Sequence, residues 1–411
     1  MLGRRAVPPV ALLAVLGPGL LAGLSDDDPA GITTYSILGA EYGYELLWVL
    51  TLSTAALVVF HELAARLGVV TGKGLVALVR ERYGRPATVV AVTALLVANV
   101  GTLAAELAGV AVGADLLAGV PRGPAVAIAA VAVCALVLGS SFHRVEHVLL
   151  ALSAVFVAYV AAGILAGPDW GAAATGLVVP RLPEGRDAVL LCVATLGTTL
   201  APWGLAFMQS YAVDKRLTVA DLRYERIDVV TGAVLTGIIG AFVVVACAAT
   251  LHPAGVAIDS GGDAARALEP VAGSLAATLF GAGFLGAALL AAAVVPLSTA
   301  YSVCEAAGRP EGLDRPLRDA PLFYGTFLGA MAVAAVIVLV PALPLVSVLY
   351  LTQALNAVLL LAILPFLRAL ACDPQVAGDA TLSRSGRAIT GAAIVLIAAA
   401  CAALLVLTVA S

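Results

Sequence analysis

Residues 17–36, GPGLLAGLSDDDPAGITTYS, decide how this chain is read. They belong to an apolar run over about residues 12–37, long enough to cross a bilayer, whose middle holds Ser25-Asp26-Asp27-Asp28-Pro29-Ala30-Gly31. A charged side chain inside a span costs about 3 kcal/mol on insertion scales, so three in a row demand a reason. Proline lacks the amide hydrogen that continues a helix, and glycine beside it lets the backbone unwind. The run is therefore expected to be a broken transmembrane helix. Its break would present carboxylates, freed carbonyls and a half-helix N-terminus to a cavity.

The rest of the sequence sets that helix in a membrane. The chain has 411 residues, 62% hydrophobic and only 12% charged, and its mean hydropathy is +1.07. Soluble domains run about 45–50% apolar and about 25% charged. A net charge of −4 offers no basic face for nucleic acid. The six cysteines are scattered singly through apolar runs, without CxxC or zinc spacing, and read as small buried hydrophobes. The N-terminus resembles a signal peptide but lacks a clear small-residue cleavage site before the aspartates, and is read as a retained first span.

Apolar runs fall at about 12–37, 46–65, 87–113, 124–140, 147–167, 189–213, 229–251, 272–303, 321–341, 344–370 and 386–409, which gives eleven spans. The alternating ten-residue segments of a membrane barrel are absent. With the N-terminus cytoplasmic, 18 of the 22 Lys and Arg residues fall on the cytoplasmic side. Only Arg122, Arg181, Arg186 and Arg266 fall outside, as does the C-terminus. An all-α polytopic protein of the plasma (inner) membrane of a bacterium is expected, with lipid as its surroundings and no obligate protein partner evident.

A second break echoes the first. The sixth run contains Leu196-Gly197-Thr198-Thr199-Leu200-Ala201-Pro202-Trp203-Gly204, a mid-span proline between glycines. Five spans precede this run, and four follow it before the eleventh. Broken helices 1 and 6 in matching places predict a 5+5 inverted repeat with its site at the midplane. The halves would cover about 12–167 and 189–370, with an extra helix at about 386–409, in one transporter domain spanning 1–411. Two ordinary proline kinks are the plainer alternative.

Other polar residues lie in spans. Glu106 sits in the third, where a lone carboxylate is either a protonated structural group or an accessory ligand. Gln353 and Asn356 share one face of the tenth, where amides either glue helices or supply ligand oxygens. A pocket of carboxylate, carbonyl and amide oxygens suits a hard cation such as Mg²⁺, Ca²⁺ or Mn²⁺. Sodium or a cationic organic solute fits the same composition. Two motif matches carry less weight. His143-Arg144-Val145-Glu146-His147 matches HxxEH but occupies a short basic loop, and Gly281, Gly283 and Gly286 form GxGxxG without a preceding strand. The run Arg80–Arg85 is expected to be a cytoplasmic anchor.

Several of these stretches resemble the NRAMP divalent-metal transporters. GPGLLAGLSDDDPAGITTYS is similar to their first span, marked by DPGN, and HELAARLGVVTGKGL to the end of their second. AELAG resembles their third, the Pro202 break their MPH region, and LGAALLAAAVVPLSTAYSVCEAAG their eighth. The resemblance implies a LeuT-type fold with alternating access about a central metal. It places Asp28 at the DPGN aspartate, Gly31 at the asparagine ligand, Ala201 at the methionine ligand and Trp203 at a histidine. It also puts Thr198 where a backbone carbonyl serves as ligand, Gln353 at a span-10 glutamine and Glu106 at a span-3 glutamate. The departures resemble the NRAMP-related magnesium transporter branch. Losing methionine sulfur and the asparagine leaves a roomier oxygen site, which suits a largely hydrated Mg²⁺ and passes Mn²⁺, with Asp26 and Asp27 adding acidity. The family's sixth-span histidine is missing and the ninth run holds no arginine, so uptake is expected without proton coupling. A proton-coupled Mn²⁺/Fe²⁺ carrier and a sodium-coupled organic-solute carrier are the alternatives. No enzyme activity and no resident cofactor are expected, Mg²⁺ or Mn²⁺ being cargo.

Overall fold

A computed structural model of the chain describes residues 23, 25–139, 157–259, 261–266, 276–341 and 343–410. All regular structure among them is helical. In chain order the helices are α1 (Pro29–Tyr42), α2 (Leu47–Thr71), α3 (Leu75–Ala118), α4 (Arg122–Gly139), α5 (Val157–Leu165), α6 (Trp170–Val178), α7 (Arg186–Thr199) and α8 (Pro202–Asp214). There follow α9 (Leu222–Ala254), α10 (Gly261–Arg266), α11 (Ala276–Ala307), α12 (Pro321–Val338), α13 (Leu345–Cys372), α14 (Pro374–Ala377) and α15 (Arg384–Ala410). Among the described residues, nine helical stretches are long and apolar enough to cross a membrane, α7 and α8 together forming one of them. Neither the expected first span, of which α1 is described, nor the fifth, of which α5 is described, is among those nine. Residues 12–22 and 24 of the first run and 147–156 of the fifth lie outside the described ones, as do Arg4, Arg5, Arg144 and the HxxEH residues His143, Glu146 and His147.

Two features differ from the sequence expectation. The third helix begins at Leu75 rather than near 87, and turns at Gly84, whose φ of 77° breaks helical geometry two residues before Pro86. Hydropathy misses residues 75–83 because they carry arginines, yet they form a helix against the end of the bundle. The basic run is therefore more than a lipid anchor: Arg82 pairs with Asp373 at 2.7 Å, and the Arg80 guanidinium donates to the Glu305 carbonyl. The second difference is α6, a short helix in the connection between the fifth and sixth spans, started by Asp169, whose carboxylate accepts from the Gly171 and Ala172 amides.

The distribution of polarity suits a lipid surround. Ile128, Val336 and Val409 are 67–81% exposed, while Asp26, Asp27, Glu106 and His61 are wholly buried. The two ends of the bundle differ. One is entered by a cavity of about 940 Å³ lined in part by Glu41, Asp115, Asp187, Asp259 and Arg122. The other is closed by a polar knot. Glu305, near the end of α11, accepts from the Val76 and Ala77 amides at 2.8 and 3.2 Å, at the start of α3, and from the Ser210 hydroxyl on α8. Asp214 accepts from the Tyr301 hydroxyl at 2.5 Å and the Leu313 amide at 3.1 Å, and the Gln209 amide donates to the Lys73 carbonyl at 2.9 Å.

Candidate metal centre

The site grows from two helix interruptions. Asp28 is the N-cap of α1, its carboxylate accepting the Gly31 amide at 2.6 Å, with Pro29 in the first helical turn. Before it, residues 26–28 run non-helically. Opposite, α7 ends at Thr199 and α8 restarts at Pro202, with Leu200 and Ala201 in non-helical conformations between them. A helix that stops leaves its last carbonyls without intrahelical donors, and one that starts leaves its first amides free. Both kinds of group are available here, inside the bundle.

Gly31 is where the breaks meet. A β-carbon on it would stand 2.8 Å from the Asp26 carbonyl oxygen, 3.0 Å from the Thr198 hydroxyl and 3.3 Å from Asp28 Oδ1. Three oxygens thus surround a space that exists because residue 31 lacks a side chain. The Thr198 hydroxyl finds no hydrogen-bond partner, nor does either carboxylate oxygen of Asp26 or Asp27. Glu106 on α3 is coupled electrostatically to Asp28, and its two oxygens are likewise without conventional partners. Facing carboxylates in a medium of low dielectric need a proton or a cation between them. The ion pairs among the described residues do not supply one. They join Arg66 and Arg226 to Glu62, Lys73 to Glu81, Arg82 to Asp373 and Arg216 to Asp314, all away from the break.

The other expected residues have different places. Thr198 offers a side-chain oxygen to the pocket, where the resemblance implies its backbone carbonyl. Gln353 abuts α7 through its backbone carbonyl at Gly197, one residue from Thr198. Its side-chain oxygen already accepts from Asn356 at 3.0 Å, and Asn356 also donates to the Thr102 hydroxyl at 2.9 Å. The two amides therefore tie α13 to α3, while the Asn356 oxygen keeps no partner. Ala201 is buried at the N-cap of α8 and has no polar side chain to give. Trp203, also buried, fixes α8 to α11 through its carbonyl, which accepts from Ser298 at 2.8 Å. Among the described residues, no three His, Cys, Asp or Glu side chains converge into a ready cage. An ion here would keep much of its water.

The cavity lies above this pocket. Its lining includes Ile37, six residues beyond Gly31 on α1, Leu191, seven before Thr198 on α7, and Tyr350, three before Gln353 on α13. At 1.5 Å per residue these offsets put its floor about one to two helical turns from the oxygens. Sequence reasoning missed one buried polar residue beside the break, His61 on α2, which is wholly buried with both ring nitrogens unpartnered. Its signals were a histidine inside an apolar run and its place at the head of the HELAARLGVVTGKGL stretch.

The family model described as Natural resistance-associated macrophage protein-like matches residues 19–407. A divalent metal cation transporter MntH of Burkholderia ambifaria is 32% identical over 280 residues, which are 66% of this chain and 63% of that protein. The MntH of Bacillus subtilis is 31% identical over 297 residues, 70% of this chain and 69% of that protein. The chain thus matches just under two thirds of the first relative's length and slightly more of the second's. In structure, the manganese transporter of Eremococcus coleocola superposes with a TM-score of 0.78 at 19% identity, covering 97% of this chain and 88% of that one. MhsT, solved with L-phenylalanine, superposes at 0.63 and 16% identity, covering 97% of this chain and all of that one. The fold is therefore of the LeuT type.

Proposed function

On the premise that this chain belongs to the Nramp family, we propose that it carries divalent metal cations across the membrane by alternating access, with Mg²⁺ as main cargo and Mn²⁺ accepted. The relatives' name, divalent metal cation transporter, supports the class of cargo. One observation carries the choice of ion: the pocket at Gly31 is bounded by the Asp26 carbonyl, the Thr198 hydroxyl and Asp28 Oδ1, all oxygens. Hard oxygen donors without sulfur suit Mg²⁺ and Mn²⁺ over softer metals. Mg²⁺ is usually held by one or two carboxylates while keeping several waters, which a pocket without a full cage allows. The chain then belongs with the magnesium branch of its family.

Eleven spans in two inverted repeats of about 12–167 and 189–370, with an extra helix at about 386–409, complete this reading. The N-terminus is cytoplasmic and the C-terminus outside, in a bacterial inner membrane. In that orientation the acidic cavity faces outward and the Glu305 knot closes the cytoplasmic side. Four carboxylates against one guanidinium at the cavity mouth attract cations from outside. Entry needs no coupled proton, because the membrane potential alone supplies about 4.6 kcal/mol per 100 mV to a doubly charged ion.

Proteoliposomes carrying both a metal-sensitive and a pH-sensitive dye test this. Mg²⁺ and Mn²⁺ should enter under a potential negative inside without acidifying the lumen, and Asp28→Ala should cut the flux at least about 100-fold while the protein still elutes as a monodisperse species. Acidification in fixed proportion to Mn²⁺ would favour the proton-coupled carrier. Solute uptake driven by sodium alone would favour the third class.

A further inference from the structure

Asp26 belongs to two places at once. Its backbone carbonyl lines the oxygen pocket at Gly31, but its carboxylate points elsewhere, toward Gly204 on α8. A β-carbon on Gly204 would stand 3.2 Å from His61 Nε2 and 3.6 Å from Asp26 Oδ1. The missing side chain therefore leaves a second small space, walled by an imidazole edge from α2 and a carboxylate from the non-helical break before α1. Both Asp26 oxygens and both His61 nitrogens lack hydrogen-bond partners, and both residues are wholly buried. Buried polar groups without partners are rare and costly, and two that face one space call for a common occupant.

We propose that His61 and Asp26 form a second divalent-metal station, separate from the Asp28 pocket and selective for borderline transition ions such as Co²⁺ over Mg²⁺. An imidazole nitrogen is a poor ligand for Mg²⁺ but a good one for ions that rise in the Irving–Williams order. The station also has a place on the route. Gly204 lies near the start of α8, and Ser210, six residues and about 9 Å farther along that helix, is held by Glu305 in the closing knot. An ion leaving the Asp28 pocket toward the closed face meets His61 and Asp26 before it meets the knot. Mg²⁺, still hydrated, passes with little hold. An ion further along that order, such as Co²⁺, is retained, whereas Mn²⁺ at its foot is held least of the transition ions, which makes the pair a specificity filter for the carrier.

The proposal rests on the reading that divalent ions traverse this break, so its test separates the two stations. Co²⁺ binding to the purified full-length chain, counted by titration and by visible absorption, should show two ions. Asp28→Ala should keep one, and the double variant Asp28→Ala/His61→Gln should keep none. Asp28→Ala/Asp26→Asn should lose that ion as well. X-ray absorption on the wild-type chain with two equivalents of Co²⁺, which needs no substitution, should show the outer-shell scattering of a bound imidazole, and its absence would overturn the station. A single Co²⁺ that disappears with Asp28→Ala would overturn the second station, as would Co²⁺ binding that survives in Asp28→Ala/His61→Gln. Mg²⁺ flux that persists in Asp28→Ala would instead count against the Asp28 pocket as transport site, and leaves the Co²⁺ count free to decide on His61.

Discussion

Gly31 and Thr198, 167 positions apart in the sequence, stand so close that a β-carbon on residue 31 would lie 3.0 Å from the threonine hydroxyl. The first turn of α1 and the last turn of α7 thus share one small space, and the Asp28 carboxylate borders it. Each helix is interrupted where it meets the other. Backbone oxygens that a continuous helix would consume are left facing that space.

Filling the space should therefore remove the site. Gly31→Ala puts a methyl group 2.8 Å from the Asp26 carbonyl oxygen, a separation that forces some movement. We expect Mn²⁺ affinity to fall at least about tenfold, by analogy with the loss of groups that orient a metal's ligands. Isothermal calorimetry on the purified variant checks this, and an unchanged dissociation constant would remove Gly31 from the site.

Changing the donor set should change the preferred ion. Ala201→Met introduces a thioether at the position where the family resemblance places one. Sulfur binds soft and borderline ions better than hard ones, so the ratio of Cd²⁺ or Mn²⁺ affinity to Mg²⁺ affinity should rise by about tenfold. Competition of each metal against Mg²⁺ flux reads that ratio directly. A ratio that does not move would argue that residue 201 lies outside the ion's reach.

The knot at the closed face should be loosened by one neutral substitution. Glu305→Gln keeps the shape but removes the charge that strengthens the bonds from the Val76 and Ala77 amides and from Ser210. A loss of about 1.4 kcal/mol would multiply opening roughly tenfold. Hydrogen exchange at the Val76 and Ala77 amides measures it. Protection equal to that of the wild type would show that the closed face is held by packing alone.

The same face should respond to alkali. Glu311 lies in the loop between α11 and α12, where burial, then the negative charges of Glu305 and Asp214, push its carboxyl above the usual range. A raised carboxyl binds its proton more tightly in the folded state than in the unfolded one. Its contribution is complete below the unfolded value of about 4.3, and falls as pH rises until the folded value is passed. Thermal unfolding of the wild type should therefore lose midpoint temperature over that range faster than Glu311→Gln does. Parallel curves would show that Glu311 is not protonated preferentially in the fold.

Much of this could be read along the chain. Apolar run length, the Lys and Arg bias and the prolines at 29 and 202 are local properties, and membrane insertion responds to such properties nearly additively. They are enough to indicate a bundle of helices with two of them broken, and the Asp28-Pro29 step already marks one of the breaks around which the proposed site is built. The segment at 75–83 escaped the same reading because its arginines mask a helix that packs at the bundle's end rather than crossing it.

The tertiary structure alone decided which oxygens converge. Nothing in the order of residues says that the Asp26 carbonyl and the Asp26 carboxylate would serve different spaces, or that His61, 35 positions away, would wall the second one. Gln353 and Asn356 share a helical face by spacing, but whether they bind an ion or each other depended on Thr102 arriving from α3. Spacing along a helix fixes direction to within a turn. Ligand distances of a few ångströms are set by how closely separate helices pack, and that depends on side chains missing at Gly31 and Gly204 as much as on those present.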